Sequence, residues 1–431
     1  MSPDLNHEKQ RIFYGWYIIG AAFLILFFNA GARFSIGVIF KPLITEFGWS
    51  RTSISFAVMV NMAVFALSLT VIGKTYDRFG PKWVIIVSTL ILAAGFVFIS
   101  FVTSFWQFLL FFGFIAAIGT GGTSVPIFSA LTSKWFEKKR GLAISLALAG
   151  NSMGQFVLVP LLTKLVTDIG WRASFFWIAL IMLLVNIALT LLVIKGDPHD
   201  LGKMPYGSKE DNEIYEPGFT TYSGFNNQDL NLVDAMRTPS FWFYTIVMLI
   251  CGSGDFLVTT HLIPFVTDYG VSPTTAGNML ALFGLMSLVG MMVAGPASDR
   301  IGNKIPLIIT FLIRVLLFVM IINVKNTAGF YIFSLFFGFT FLITAPLTPN
   351  LIGRLYGITH VGILSGFITT IHHLAGGVWA YAGGALFDYT GSYQQAFYLS
   401  AVMAAVATLC CILIKEKRYE KVNPDPPMGM I

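Results

Sequence analysis

Arg33, Asp255, His261, Arg314, His372 and His373 fall inside stretches of this 431-residue chain that are otherwise apolar. An ionisable side chain in such a setting is costly to bury, so each is a functional candidate by default. Arg33 offers a planar guanidinium that can hold a carboxylate through two hydrogen bonds, and it is expected to attract or contact an anion. Its alternative role is that of a structural charge. Asp255 is the carboxylate deepest in an apolar run, and a proton bound there is expected to be coupled to the protein's work. It is open to an ion pair with Arg33, or to a structural role beside Gly252 and Gly254. His372 and His373 could donate to a carboxylate or carry a proton. Adjacent helical residues point about 100° apart, so one of the two is expected to face a cavity. His261, three residues before Pro264, and Arg314 are read as structural, the latter through an internal pair.

The elements that must position these groups are helices. Spans of roughly 20 mostly apolar residues are needed to cross a bilayer. Twelve are expected, at about 14–40, 52–72, 83–103, 105–132, 141–163, 172–194, 240–267, 273–296, 305–324, 328–352, 360–387 and 393–414. The first run is too long for a signal-peptide core and is read as a retained helix. These divide the chain into a half at 1–194, a linker at 195–239, a second half at 240–414 and a tail at 415–431. The linker carries Glu210, Asp211, Glu213 and Glu216 among Gly and Pro residues, and is expected to be flexible and partly disordered. The fold class is therefore an all-α membrane protein of two six-helix halves.

Composition agrees. Apolar residues make up 56% of the chain and charged residues 11%, against roughly 25% charged in soluble domains. The net charge of +6 has no basic stripe with interleaved aromatics behind it, so no nucleic-acid partner is expected. Cys251, Cys410 and Cys411 lack metal-ligand spacing, and neither a cofactor nor a metal is implied. The basic residues instead set orientation. With the N-terminus in the cytoplasm, most of the 27 Lys and Arg lie inside, and Lys41, Arg51, Lys164, Arg172 and Lys325 lie outside. Both termini are thus expected to be cytoplasmic, in a cell or inner membrane.

One loop occurs twice. Residues 73–82 and 295–304 both read G-x-x-x-D-R-x-G-x-K, with Gly73, Asp77, Arg78 and Gly80 repeated as Gly295, Asp299, Arg300 and Gly302. Each copy follows the second span of its half, as internal duplication would place it. The first Gly is expected to let two helices cross closely. The Asp is expected to cap a neighbouring helix or pair with loop cations, locking the cytoplasmic side while the outer side is open. A second candidate gating feature is the loosened stretch Gly119–Pro126 in the fourth span, matched by Thr344, Pro346, Thr348, Pro349 and Asn350 in the tenth.

The duplicated loop and the twelve spans resemble the major facilitator superfamily. Residues 135–154, from Trp135-Phe136-Glu137-Lys138-Lys139-Arg140 to Gly150-Asn151-Ser152-Met153-Gly154, are similar to the fifth-helix motif of its monocarboxylate transporter family. Trp135, Lys139 and Ser145 depart from that motif. Its cationic cluster is expected to anchor the helix, and Ala143, Ala147, Gly150 and Gly154 to form a small-residue packing face. Tyr14-Gly15-Trp16-Tyr17 faintly echoes the family's first-helix motif. Residues 383–393, Gly383 to Tyr393, resemble the eleventh-helix end of bacterial members, including relatives of oxalate–formate antiporters. Met291 stands where many carboxylate carriers of the family keep an Arg, which weakens the carboxylate inference.

The resemblance implies a central cavity lined by the first helix, with Arg33 close to where the family keeps a basic residue. It implies a secondary transporter of a small organic anion such as a monocarboxylate, by proton coupling or exchange. The expected substrate residues are Arg33, Thr120, Asn151, Thr344, His372, His373 and Tyr381, with Asp255 or His372 as proton carrier. Anion, protons and membrane lipid are the expected partners of a monomer. The rival on the same fold is an exporter of drugs or lipophilic metabolites, favoured by the aromatic spans and Met291. An enzyme would need a convergent catalytic cluster and a sensor a large output domain, and neither is evident.

Overall fold

The computed structural model describes residues 13–208, 229–357 and 359–419. Glu210, Asp211, Glu213 and Glu216 of the linker, and the tail beyond 419, lie outside these residues. Among the described residues, eleven helices are long and apolar enough to cross a membrane. One of them, Arg51–Ile99, runs for 49 residues and turns back on itself at Gly80 (φ 77°, ψ 167°), a backbone conformation that glycine tolerates without a Cβ penalty. The described residues therefore make twelve crossings: α1 (Gly15–Phe47), α2 (51–79), α3 (81–99), α4 (Phe105–Trp135), α5 (Arg140–Ile169), α6 (Trp171–Leu192), α7 (Pro239–Asp268), α8 (Pro273–Ile301), α9 (Lys304–Asn323), α10 (Thr327–Tyr356), α11 (Val361–Thr390) and α12 (Gln394–Leu413).

The repeat is visible in the packing. Lys82 donates from Nζ to the Leu191 carbonyl at 3.3 Å, and its counterpart Lys304 donates to the Ile414 carbonyl at 3.2 Å. Each places a cation on the unpaired carbonyls at the end of its half's last helix, where the helix dipole favours positive charge.

Three crossings are broken. In α1 the helix interrupts at Phe34 (φ −95°, ψ 3°) directly after Arg33. In α4 a π-helical stretch at Leu109–Ala116 is followed by a break after Gly122, where Pro126 restarts the helix. The freed Phe112 carbonyl accepts from Asn61 Nδ2 at 2.6 Å. In α10 the helix breaks between Phe341 and Thr344, just ahead of Pro346. The breaks in α4 and α10 fall at corresponding places of the two halves, as their Gly and Pro content foretold.

The small-residue face of α5 packs as expected. Ala143 and Ala147 are fully buried, and a Cβ on Gly150 or Gly154 would overlap the backbone of Phe23 or Phe27 on α1. The two halves meet along α2–α11 and α5–α8. Gly384 lies against Ser55 and Arg51, Gly377 against Met59, and Gly284 against Gln155. Ser152 and Ser287 hydroxyls stand 3.0 Å apart, and Gln155 Nε2 donates to the Leu280 carbonyl at 3.1 Å.

Two expectations are corrected. The described linker flank 195–208 is folded rather than loose: Asp197 caps the turn Pro198–Leu201, and Tyr206 N donates to the Trp135 carbonyl at 2.9 Å. The Tyr206 ring sits among Phe13, Trp16 and Phe136, an aromatic cluster that offsets the entropy of ordering the segment. The loop-motif glycines Gly73 and Gly295 do not sit at a close helix crossing, since a Cβ at either would meet nothing within 4 Å. Asp77, Arg78, Asp299 and Arg300 are exposed, and neither Asp makes an ion pair or hydrogen bond among the described residues. The polar contacts between the halves lie elsewhere: they run from Lys41–Asp268 and Thr52–Asp388, at the end away from the loop motifs, to Ser152–Ser287 midway along the helices.

Candidate substrate cavity and the charges around it

Between the halves lies a cavity of about 50 Å³. Its walls come from α1 to α4 and, across the boundary, from α7 through Phe256, Thr259 and Thr260. Arg33 and Thr120, both expected at a site, line it. The break at Phe34 ends the first part of α1 on Arg33, and Ser35 Oγ caps the interruption by donating to the Ala32 carbonyl at 2.7 Å. The Arg33 guanidinium lies 5.5 Å from the Phe65 ring centroid, a cation–π contact. It has no carboxylate partner and no hydrogen bond among the described residues. Five donors are thus presented to the cavity with only a ring face beside them.

The cavity's other polar groups are less free. Asn61 is committed to the Phe112 carbonyl, Thr120 Oγ1 donates to the Ala116 carbonyl at 2.8 Å, and Thr259 Oγ1 donates to the Asp255 carbonyl at 2.9 Å. Asn61 and Thr120 thus bind the π-helical stretch of α4 and hold the wall in shape.

Asp255 does not pair with Arg33. Its Oδ1 lies 2.7 Å from Arg314 Nη2, inside the second half, and both residues are at most 2% exposed. The contact is an ion pair rather than an aligned hydrogen bond. Arg314 is held by the Thr340 hydroxyl and carbonyl at 3.2 and 3.1 Å and by the Cys251 carbonyl at 3.4 Å. Phe337 and Phe311 lie 4.9 and 5.5 Å from its guanidinium carbon. The pairing expected between halves is therefore made within one half, because Asp255 lies on the side of α7 that the Arg314 side chain reaches, while α1 meets α7 elsewhere, with Gly37 against Thr259.

The two histidines part company. His372 Nδ1 lies 3.3 Å from the Met248 carbonyl, which can only accept, so Nδ1 carries the hydrogen in the neutral ring. Nε2 then faces Asp255 Oδ2, 3.9 Å away, with a lone pair. His373 donates from Nδ1 to the Thr369 carbonyl of its own helix at 2.8 Å. Its ring packs 5.0 Å from Phe65, the ring that also carries Arg33. Phe65 is thus wedged between a cation of the first half and an imidazole of the second.

Not every expected residue reaches the cavity. Thr344 sits beside Cys251 at 3.7 Å in the core of the second half, and Tyr381 packs on Phe56. Asn151 lies on α5, and neither it nor either histidine is among the cavity's lining residues. The grouping of Cys251, Asp255 and His372, whose ligand atoms lie within 4.8 Å of one another, was not legible from spacing. Arg314 touches two of the three, so a cation already occupies the place a metal ion would take.

Twelve crossings in two repeat-related halves about a central cavity define a membrane transporter. The chain belongs to the Major Facilitator Superfamily, whose sequence profile matches residues 22–270 and 244–428. It is 25% identical to the MFS-type transporter YcxA of Bacillus subtilis (strain 168), covering 94% of this chain and 97% of that one. It is 24% identical to monocarboxylate transporter 13 of Bos taurus, over 90% of this chain and 86% of that one. Its fold is similar to a bacterial homologue of the human lysosomal transporter Spinster in an inward-facing, occupied conformation. That similarity has a TM-score of 0.72 and 17% identity, covering 93% of this chain and 97% of that one.

Proposed function

We propose that this protein is a secondary active transporter of a small monocarboxylate, moved with a proton or by exchange through alternating access. The observation that carries the reading is the Arg33 guanidinium, which lines the cavity between the halves without an acidic partner among the described residues. A charge held in an apolar surrounding without a counterion is costly, and an incoming carboxylate relieves that cost through two charge-assisted hydrogen bonds. Similarity to monocarboxylate transporters supports the substrate class.

Proton coupling is assigned to His372 with Asp255 as its partner. Asp255 is committed to Arg314, so the neutral lone pair at His372 Nε2 is the vacancy. A proton there would point at Asp255 Oδ2 and convert an unfavourable contact into a charged pair. The loop-motif end is taken as cytoplasmic from the distribution of Lys and Arg, with the protein in the cell membrane. On that assignment the cavity is closed to the outside, and the unengaged Asp77 and Asp299 are released from the lock they form in the opposite state.

The test is a thermal-stability screen against acetate, pyruvate, lactate, formate and oxalate, followed by uptake into proteoliposomes with and without a pH gradient. Arg33→Gln is expected to fold and to lose the carboxylate-induced stabilisation. A full response in that variant removes Arg33 from the site. The phenyl-rich cavity wall favours a second reading, export of lipophilic compounds, which predicts stabilisation by uncharged aromatics that is indifferent to Arg33→Gln.

A further inference from the structure

At the end away from the loop motifs, side chains from both halves form a hydrogen-bond relay whose direction can be read. His261 on α7 is fully buried. Its Nε2 lies 2.8 Å from the Ala380 carbonyl on α11, which can only accept, so Nε2 carries the hydrogen. Nδ1 is then the acceptor, and it takes the Tyr393 hydroxyl hydrogen at 2.9 Å. The Tyr393 oxygen in turn accepts from Arg51 Nη1 at 2.8 Å. Arg51 opens α2, in the first half, whereas His261, Ala380 and Tyr393 belong to the second. The relay therefore crosses the boundary that must part if this end is to open.

Charges around the relay are already matched. Arg51 Nη2 pairs with Asp268 at the end of α7 at 2.8 Å, and Lys41 of α1 reaches the same carboxylate at 2.8 Å. The Arg51 guanidinium lies 3.6 Å from the Phe387 ring centroid. Asp388 of α11 accepts from the Arg51 and Thr52 backbone N–H groups at 3.3 and 2.7 Å and from the Thr52 hydroxyl at 2.6 Å. A residue of one half thus caps a helix of the other. Ser55 of α2 stands 3.4 Å from His261 Nε2, and the Phe40 ring of α1 covers the imidazole at 5.3 Å.

We infer that this relay is the latch between the halves at this end, and that His261 closes it only in the neutral form. A protonated imidazole would carry hydrogen on both nitrogens. Nδ1 could no longer accept, and the Tyr393 hydroxyl hydrogen would lose its acceptor. A second cation would also sit beside Arg51 in a dry pocket, with Asp268 and Asp388 already engaged. Once the end opens, water reaches His261, and an imidazole in water takes a proton near pH 6.5, roughly. Acid on that face thereby holds the latch open, and the proton must leave before it closes.

The experiment uses the full chain in lipid nanodiscs, with spin labels on Thr103→Cys and Thr327→Cys, exposed positions at this end in opposite halves. The native cysteines are buried. Between about pH 8 and about pH 5.5, a range that spans imidazole titration, the long-separation population in the labelled parent is expected to rise several-fold. His261→Phe is expected to show no pH response, and so is His261→Gln, which keeps an N–H for Ala380 and serves if the first fails to fold. Tyr393→Phe is expected to show the long separation at both pH values. A parent that does not respond, or His261 variants that respond as the parent does, overturns the assignment.

Discussion

Removing the Asp255 carboxylate is the most searching test of how the second half is held together. Asp255→Asn leaves Arg314 charged, 1% exposed and without an anion. Breaking a buried pair from one side costs about 3–5 kcal/mol, because the remaining charge is uncompensated. Here the Thr340 and Cys251 oxygens still accept from the guanidinium, and the Phe311 and Phe337 rings still flank it. A desolvated cation–π contact is worth about 2 kcal/mol, so the loss is placed at the lower end, about 3 kcal/mol. Arg314→Met is expected to cost a similar amount by stranding Asp255. The double variant Asp255→Leu with Arg314→Met, which removes both charges, is expected to lie within about 1 kcal/mol of the parent. The assay is reversible unfolding in mixed micelles, read by circular dichroism. Single variants as stable as the parent, or single losses that simply add in the double, would refute the reasoning.

Other outcomes follow from single contacts. Asn61→Leu strands the Phe112 carbonyl in the π-helical part of α4 and is expected to cost about 1–3 kcal/mol in thermal unfolding. At the loop-motif end, hydrogen bonds from Thr359, together with the nearby Arg418 cation, hold the Asp229 carboxyl below its usual range. A depressed carboxyl stabilises the fold above its unfolded value of about 3.9, and that contribution fades as pH falls through the folded value. Protection of the amides around Thr359 and Arg418, taken relative to the intrinsic exchange rate, is therefore expected to fall below about pH 4, and in Asp229→Asn to be low already at neutral pH.

The halves, the repeated loop, the packing face of α5 and the breaks in α4 and α10 were legible because each rests on local rules. Apolar length, small-residue spacing and Gly or Pro placement act within one helix. The partner of Asp255 was not legible. Charge alone allowed Arg33 or Arg314, and the choice depends on which side of α7 carries Asp255 once the helices have packed. The same applies to His261, whose three partners come from residues 55, 380 and 393 and meet only when four helices converge. The glycines of the loop motifs misled for a different reason. Spacing shows where a glycine recurs but not whether another backbone comes near it, and in this structure Gly73 and Gly295 have open space where a Cβ would stand.

The last described residues behave as a seam. Glu416 accepts from the Asn303 backbone and side-chain N–H groups, Lys415 N donates to Ser240, and Tyr419 N donates to the Leu355 carbonyl. Arg418 closes the stitch on Asp229. A reporter or affinity handle spliced in at the end of α12 would cut this thread and leave the second half unhemmed. Grafts belong away from residues 415–419, which carry these stitches.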